Sequence, residues 1–162
     1  QKVKINNSKD CVQSALGKPT FVAFPSESVD LLLEGDKKLK AVGMTQTATK
    51  QEIAARPRKE KDFNEWIYLR ADSHLFLTFD PQSEKLKNIS CHVFSASIIN
   101  SSTCRIHNIH ASDKEEHVLK TLGQPDEISA DNFTKILTYK KLNMKVFIGK
   151  EGIYNIQIGQ SS

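Results

Sequence analysis

Apolar positions recur at helical spacing in two short stretches that close in the same way. In the first, Val12, Ala15 and Leu16 follow Ser8, and Gly17 and Pro19 come next. In the second, Val118, Leu119 and Leu122 follow Ser112, and Gly123 and Pro125 come next. A serine hydroxyl can accept from an orphan amide of the first turn, a glycine can take the left-handed C-terminal position, and a proline forbids continuation. Both stretches therefore predict short helices, with Ser112 and Glu115 forming a capping box in the second. Cys11, beside Val12 in the first helix, is expected to pack as a small hydrophobe.

Alternation takes over downstream of each helix. Leu75, Leu77 and Phe79 fall on one side of an extended segment, the period of a half-buried strand. It is flanked by Glu65–Leu69, whose Trp66 and Tyr68 share a face read as core, and by Leu86–Cys91. After the second helix come Ile136–Tyr139, an alternating Leu142, Met144, Val146 and Ile148, a turn at Gly149–Gly152, and Ile153–Ile158. The parts follow one order twice. They predict an α+β fold of two tandem helix-plus-antiparallel-sheet repeats: residues 1–93 with a long insertion at 20–64, a connector at 94–111, and residues 112–162. The insertion holds a predicted helical turn from Ser26 to Leu33 and a basic run from Arg56 to Lys61.

The run Ser8-x-x-x-Val12-x-x-x-Leu16-Gly17-x-Pro19, with Trp66-x-Tyr68, Leu75-x-Leu77-Thr78-Phe79-Asp80 and Leu86-x-Asn88-Ile89, resembles the SmpA/OmlA family of BamE-type small outer-membrane lipoproteins. Residues 112–158 carry a weaker version in which Tyr139 stands in the place of Tyr68 with no tryptophan before it. The resemblance implies helices packed on a three-stranded antiparallel sheet. A tandem pair of such units is similar in architecture to secreted β-lactamase inhibitor proteins. Asn7 stands where the family has a glycine, and no lipid-bearing cysteine lies near Gln1. The function implied is an exported, non-enzymatic protein-binding or scaffold module of a bacterial envelope assembly, periplasmic or outer-membrane-associated. A secreted, extracellular enzyme inhibitor is the alternative within the same class.

Composition narrows the partners. With 38% hydrophobic and 26% charged residues the 162-residue chain is globular, and its longest apolar runs are too short to span a bilayer, which leaves peripheral membrane association. The net charge of +4 is modest, and the basic run has one aromatic neighbour, Phe63, where nucleic-acid binding wants interleaved stacking platforms. The expected partner is another protein. Phe21, Phe24, Arg56, Arg58, Lys59 and Lys61 combine apolar anchors with charge and are the predicted contact residues.

Three cysteines, Cys11, Cys91 and Cys104, allow one disulfide, for which Cys91 and Cys104 are placed on either side of the connector. Sequons at Asn6, Asn88, Asn100 and Asn132 exceed chance and favour a secretory history. Cys104, His107 and His110 offer thiolate and imidazole ligands for a transition metal, and a Cys–His pair would suit a small hydrolase. Neither sits in a recognisable metal or nucleophile motif. The expectation is therefore no catalysis and no cofactor, with a hydrolase or metal carrier as the alternative from another class.

Overall fold

A computed structural model describes residues 3–23, 64–94 and 99–159. Helix α1 spans Lys9–Leu16, and strands β1 (Phe21–Ala23), β2 (Glu65–Leu69), β3 (Ser73–Phe79) and β4 (Leu86–Val93) follow it. Beyond the connector come α2 (Glu115–Leu122), β5 (Glu127–Ala130), β6 (Lys135–Tyr139), a 3-10 turn at Lys140–Leu142, β7 (Met144–Gly149) and β8 (Gly152–Gly159). All eight strands form one antiparallel sheet in the order β1-β2-β3-β4-β8-β7-β6-β5.

This corrects the expected α+β fold of two tandem helix-plus-sheet repeats. The described residues form mostly a single eight-stranded antiparallel sheet carrying two eight-residue helices. Two physical facts separate the outcomes. Strand β4 pairs with β8 along Asn88–His92, so the sheet runs unbroken through the middle of the molecule. Strands β1 and β5, each just beyond a Gly-x-Pro, widen it at both ends.

Cross-strand register sorts the side chains into two faces. Trp66, Leu77, Ile89, Ile158, Met144 and Tyr139 lie opposite one another in turn, and so share a face. Both helices lie on that face. Val12 of α1 joins Trp66, Tyr68, Leu77, Phe79 and Leu86 in one core cluster. Val118 of α2 joins Leu137, Tyr139, Met144 and Val146 in another, and Cys104 and Ile158 pack against both.

Each helix ends as its sequence requires. Gly17 and Gly123 take φ near 80°, where a side chain would be strained, and each donates its N–H back to the preceding turn. The ends are then tied to the sheet by matching bonds. Tyr68 Oη donates to the Gly17 carbonyl and Tyr139 Oη to the Gly123 carbonyl, both at 2.9 Å. Burial pushes both phenols above their ordinary range, which keeps the donating protons in place. The Ser8 hydroxyl caps α1 by accepting from Cys11 N.

Two local expectations are corrected. Cys11 is exposed rather than packed, because Val12 alone occupies the centre of the inward face of α1. Ser112 does not cap α2. Its N–H donates to Ile153 O while Ile153 N donates to Asp113 O, so this segment pairs with the start of β8, and the N-cap passes to Lys114, which makes no side-chain cap bond.

Candidate functional site

The most exposed apolar side chains among the described residues cluster on the outer hairpin of β5 and β6. Residues 131–134 join the two strands. The Asp131 carboxylate accepts from Phe133 N and Thr134 N at 2.8 Å each, and Asp131 N donates to Thr134 O. Those two amides hold the Asp131 carboxyl below the usual carboxylate range. The turn is thus fixed by its own side chain, and it presents Phe133 with 85% of its surface in solvent. Ile128, on β5, is 57% exposed, and every residue of β5 is exposed. Being the last strand in the order, β5 leaves one backbone edge without a strand neighbour among the described residues. Lys135 of β6 pairs with Glu115 of α2 at 3.0 Å beside the turn, and Lys140 pairs with Glu127 at 2.8 Å at the open end of the hairpin.

The face away from the helices carries a row of rings. His74, His92, Asn155 and Phe147 stand opposite one another across β3, β4, β8 and β7. The His74 ring lies 4.2 Å from that of Phe94, and Tyr154 packs edge-on against His92 and Phe147 at 5.9 and 6.2 Å. Ser90 Oγ donates to Asn155 Oδ1, and Tyr154 Oη donates to Thr134 Oγ1 of the β5–β6 turn. Burial keeps the His92 imidazole below the ordinary histidine value, favouring its neutral form.

On the helix face, a cleft of about 530 Å³ opens where β4 meets β8. Leu75, Leu77, Ile89 and Ile156 floor it, and Arg70, Arg105 and His107 stand among its lining residues. One wall is the connector, which is held at several points. A disulfide joins Cys104 to Cys91, Thr103 Oγ1 donates to the Asp72 carboxylate, Ala111 N donates to Thr103 O, and Ile106 and Ile109 exchange backbone bonds at 2.9 Å.

Of the predicted contact residues, Phe21 is buried on β1 and not available as an anchor. Phe24, Arg56, Arg58, Lys59 and Lys61 lie outside the described residues. Trp66 and Tyr68 are core residues. The metal candidates are not brought together. Cys104 is in the disulfide, His107 is exposed, and His110 Nδ1 lies 2.7 Å from Ala111 O while its Nε2 faces Asp113 at 3.2 Å. The Cys–His hydrolase candidates separate likewise, with Cys91 in the disulfide and Cys11 exposed on α1. Among the described residues no cluster of His, Cys, Asp and Glu has the form of a metal site, and no helix is long and apolar enough to cross a membrane.

Phe133 escapes a periodicity reading because it stands alone between polar residues. Its available signal was the Asp-Asn-x-Thr turn chemistry around it, which places an apolar residue at a hairpin tip.

No family model matches the chain, and no curated protein matches it. Among solved structures it is similar to a DUF4309 family protein, YjgB, from Bacillus subtilis subsp. subtilis str. 168. The two share 12% identity over 99% of this chain and 84% of that one, with a TM-score of 0.49.

Proposed function

We propose that this chain is an exported, non-catalytic protein-binding module of a bacterial cell envelope, and that it docks through the β5–β6 hairpin. The observation that carries the reading is Phe133, an aromatic side chain 85% exposed on a turn locked by Asp131. Leaving a phenyl ring in water is unfavourable, and fixing it in one place lowers the entropy lost when a partner closes over it. Aromatic anchors of this kind dominate the energetics of protein interfaces. The neighbouring edge of β5 adds backbone donors and acceptors that an extended partner segment can pair with. Export is supported by the Cys91–Cys104 disulfide, since such bonds persist in oxidising compartments and are rare in reducing ones.

Affinity capture from the native source, with Phe133→Ala beside the unaltered chain, tests the proposal. The variant is expected to melt normally, because the ring packs on little, and to lose the captured partner. A partner retained at equal yield by Phe133→Ala and by Ile128→Ser would move the docking surface off this hairpin. Should the partner be an enzyme whose activity falls on binding, the inhibitor reading replaces the scaffold one.

A further inference from the structure

We infer that the cleft on the helix face, at the β4–β8 junction, binds a single-chain amphiphile with an anionic head group. Its volume of about 530 Å³ falls within the range of small-molecule sites, roughly 300–1,000 Å³. The floor is aliphatic: Leu75, Leu77, Ile89 and Ile156 are buried, and among the described residues no Phe, Tyr or Trp lines the space. That composition suits a flexible hydrocarbon tail and offers nothing for a nucleobase to stack on. A neighbouring hollow of about 360 Å³ shares Val3, Ile89, Ile106, His107 and Ile158 with the cleft and extends the apolar surface toward residues 3–5.

The polar lining has one sign of charge. Arg70 enters from the β2–β3 turn and Arg105 from the connector, both exposed, with His107 two residues further on. Among the described residues neither guanidinium is paired with a carboxylate. No Asp or Glu lines the cleft among the described residues. Two guanidinium forks above an aliphatic floor are complementary to a carboxylate or phosphate carried on a hydrocarbon chain.

The wall that supplies Arg105 is strained in a way its surroundings enforce. Cys104, His107 and Asn108, all lining residues, take φ of 50°, 47° and 65°, and none is glycine. Each such residue costs free energy and persists only where neighbouring structure over-determines it, as happens at binding sites. Here the disulfide, the Thr103–Asp72 bond and the reciprocal Ile106–Ile109 bonds do so. The full burial of Ile109 and Ala111 pins the loop from beneath. The result is a rim set before any ligand arrives.

Calorimetric titration with dodecanoate, dodecyl phosphate and methyl dodecanoate, all below their aggregation concentrations, tests this. Saturable one-to-one binding of at least one anionic probe is expected, with the neutral ester weaker by about tenfold or more. Preference between the two anions identifies a free fatty acid or a phosphate-headed lipid as the natural source. The Arg70→Ala/Arg105→Ala variant, whose altered side chains are exposed and whose melting should be unchanged, is expected to lose that preference for charge. Arg70→Lys/Arg105→Lys should keep part of it. The inference is overturned if neither anion saturates, if the ester binds as tightly as the anions, or if the alanine variant binds them undiminished.

Discussion

The two outer hairpins of the sheet occupy matching places at its opposite ends and have opposite surfaces. On the face away from the helices, β1–β2 presents Phe21 and Ile67, and both are buried, Ile67 completely. Counting from the anchoring tyrosines, the corresponding residues of β5–β6 are Glu127 and Thr138; Glu127 is exposed and Thr138 half-exposed. The connections differ too. Residues 24–64 join β1 to β2, whereas 131–134 suffice for β5 and β6. Edge strands expose backbone groups that invite pairing, so a sheet has to manage both of its ends. On the face away from the helices one end is closed over apolar side chains, and the other carries Glu127, Ser129 and Thr138 with only Ile136, half-buried, apolar among them. On the helix face the counterparts Val22 and Ile128, opposite Trp66 and Leu137, are exposed at both ends. This contrast, with Phe133 at the tip of the β5–β6 turn, is what favours that end in the proposed docking.

The comparison presumes that both ends belong to one cooperative sheet, and the largest test addresses that. Leu77→Ala and Leu137→Ala each remove a fully buried side chain, one from each core cluster, and should each cost about 2–5 kcal/mol. If the sheet unfolds as a unit, either substitution shifts the same single transition in urea. Two transitions, each moved by only one substitution, would show that the ends melt independently.

Next in size is the disulfide, which ties β4 to the connector across 13 residues. Replacing both Cys91 and Cys104 with alanine should lower unfolding free energy by about 3 kcal/mol through loop closure in the unfolded chain. An unchanged denaturation midpoint would mean that other contacts already fix the connector.

The asymmetry of the ends is tested by exchanging residues across them. Ile67→Thr places a hydroxyl at a fully buried site and should cost about 1–3 kcal/mol. Thr138→Ile, at a half-exposed site, should stay within about 0.5 kcal/mol of the unaltered chain. Equal effects would erase the distinction between a closed and an open end.

The smallest expected effect concerns His92, midway between the ends. Its folded pKa is lowered by burial, so below the unfolded value of about 6.5 the unfolded chain binds a proton more readily than the folded one. The stability it supports is complete above that pH and falls as the medium is acidified. His92→Gln should flatten the drop in melting temperature between pH 7.5 and 5.5, and an identical pH profile would assign the drop to other groups.

Much of this was legible in the sequence where the causes are local. The stops at Gly17 and Gly123, the alternation of Leu75, Leu77 and Phe79, and the core placement of Trp66 and Tyr68 each follow from neighbours a few residues away. What escaped depends on distant partners. The β4–β8 pairing joins residues such as Ser90 and Gln157, which no window along the chain brings together. Strands β1 and β5 are only three and four residues long, too short to show a period. The predicted cap at Ser112 failed for the same reason, since Ile153 claims that backbone. At the sites, the basic run drew notice through its charge, whereas the cleft depends on left-handed Cys104, His107 and Asn108, residue types that do not announce that conformation.

The pairing of β4 with β8 also sets when this sheet can be finished. The last strand in chain order lies at the centre, fourth from the β5 end, so a nascent fragment that ends between β7 and β8 carries two half-sheets with bare facing edges. Until β8 is made, β4 offers its unpaired backbone and the apolar side chains of Ile89 and Cys91 to any strand that passes. Removing the final segment therefore deletes the keystone and not a tail. The chain needs protection from misassembly through most of its synthesis, and its own last strand brings that vulnerable period to a close.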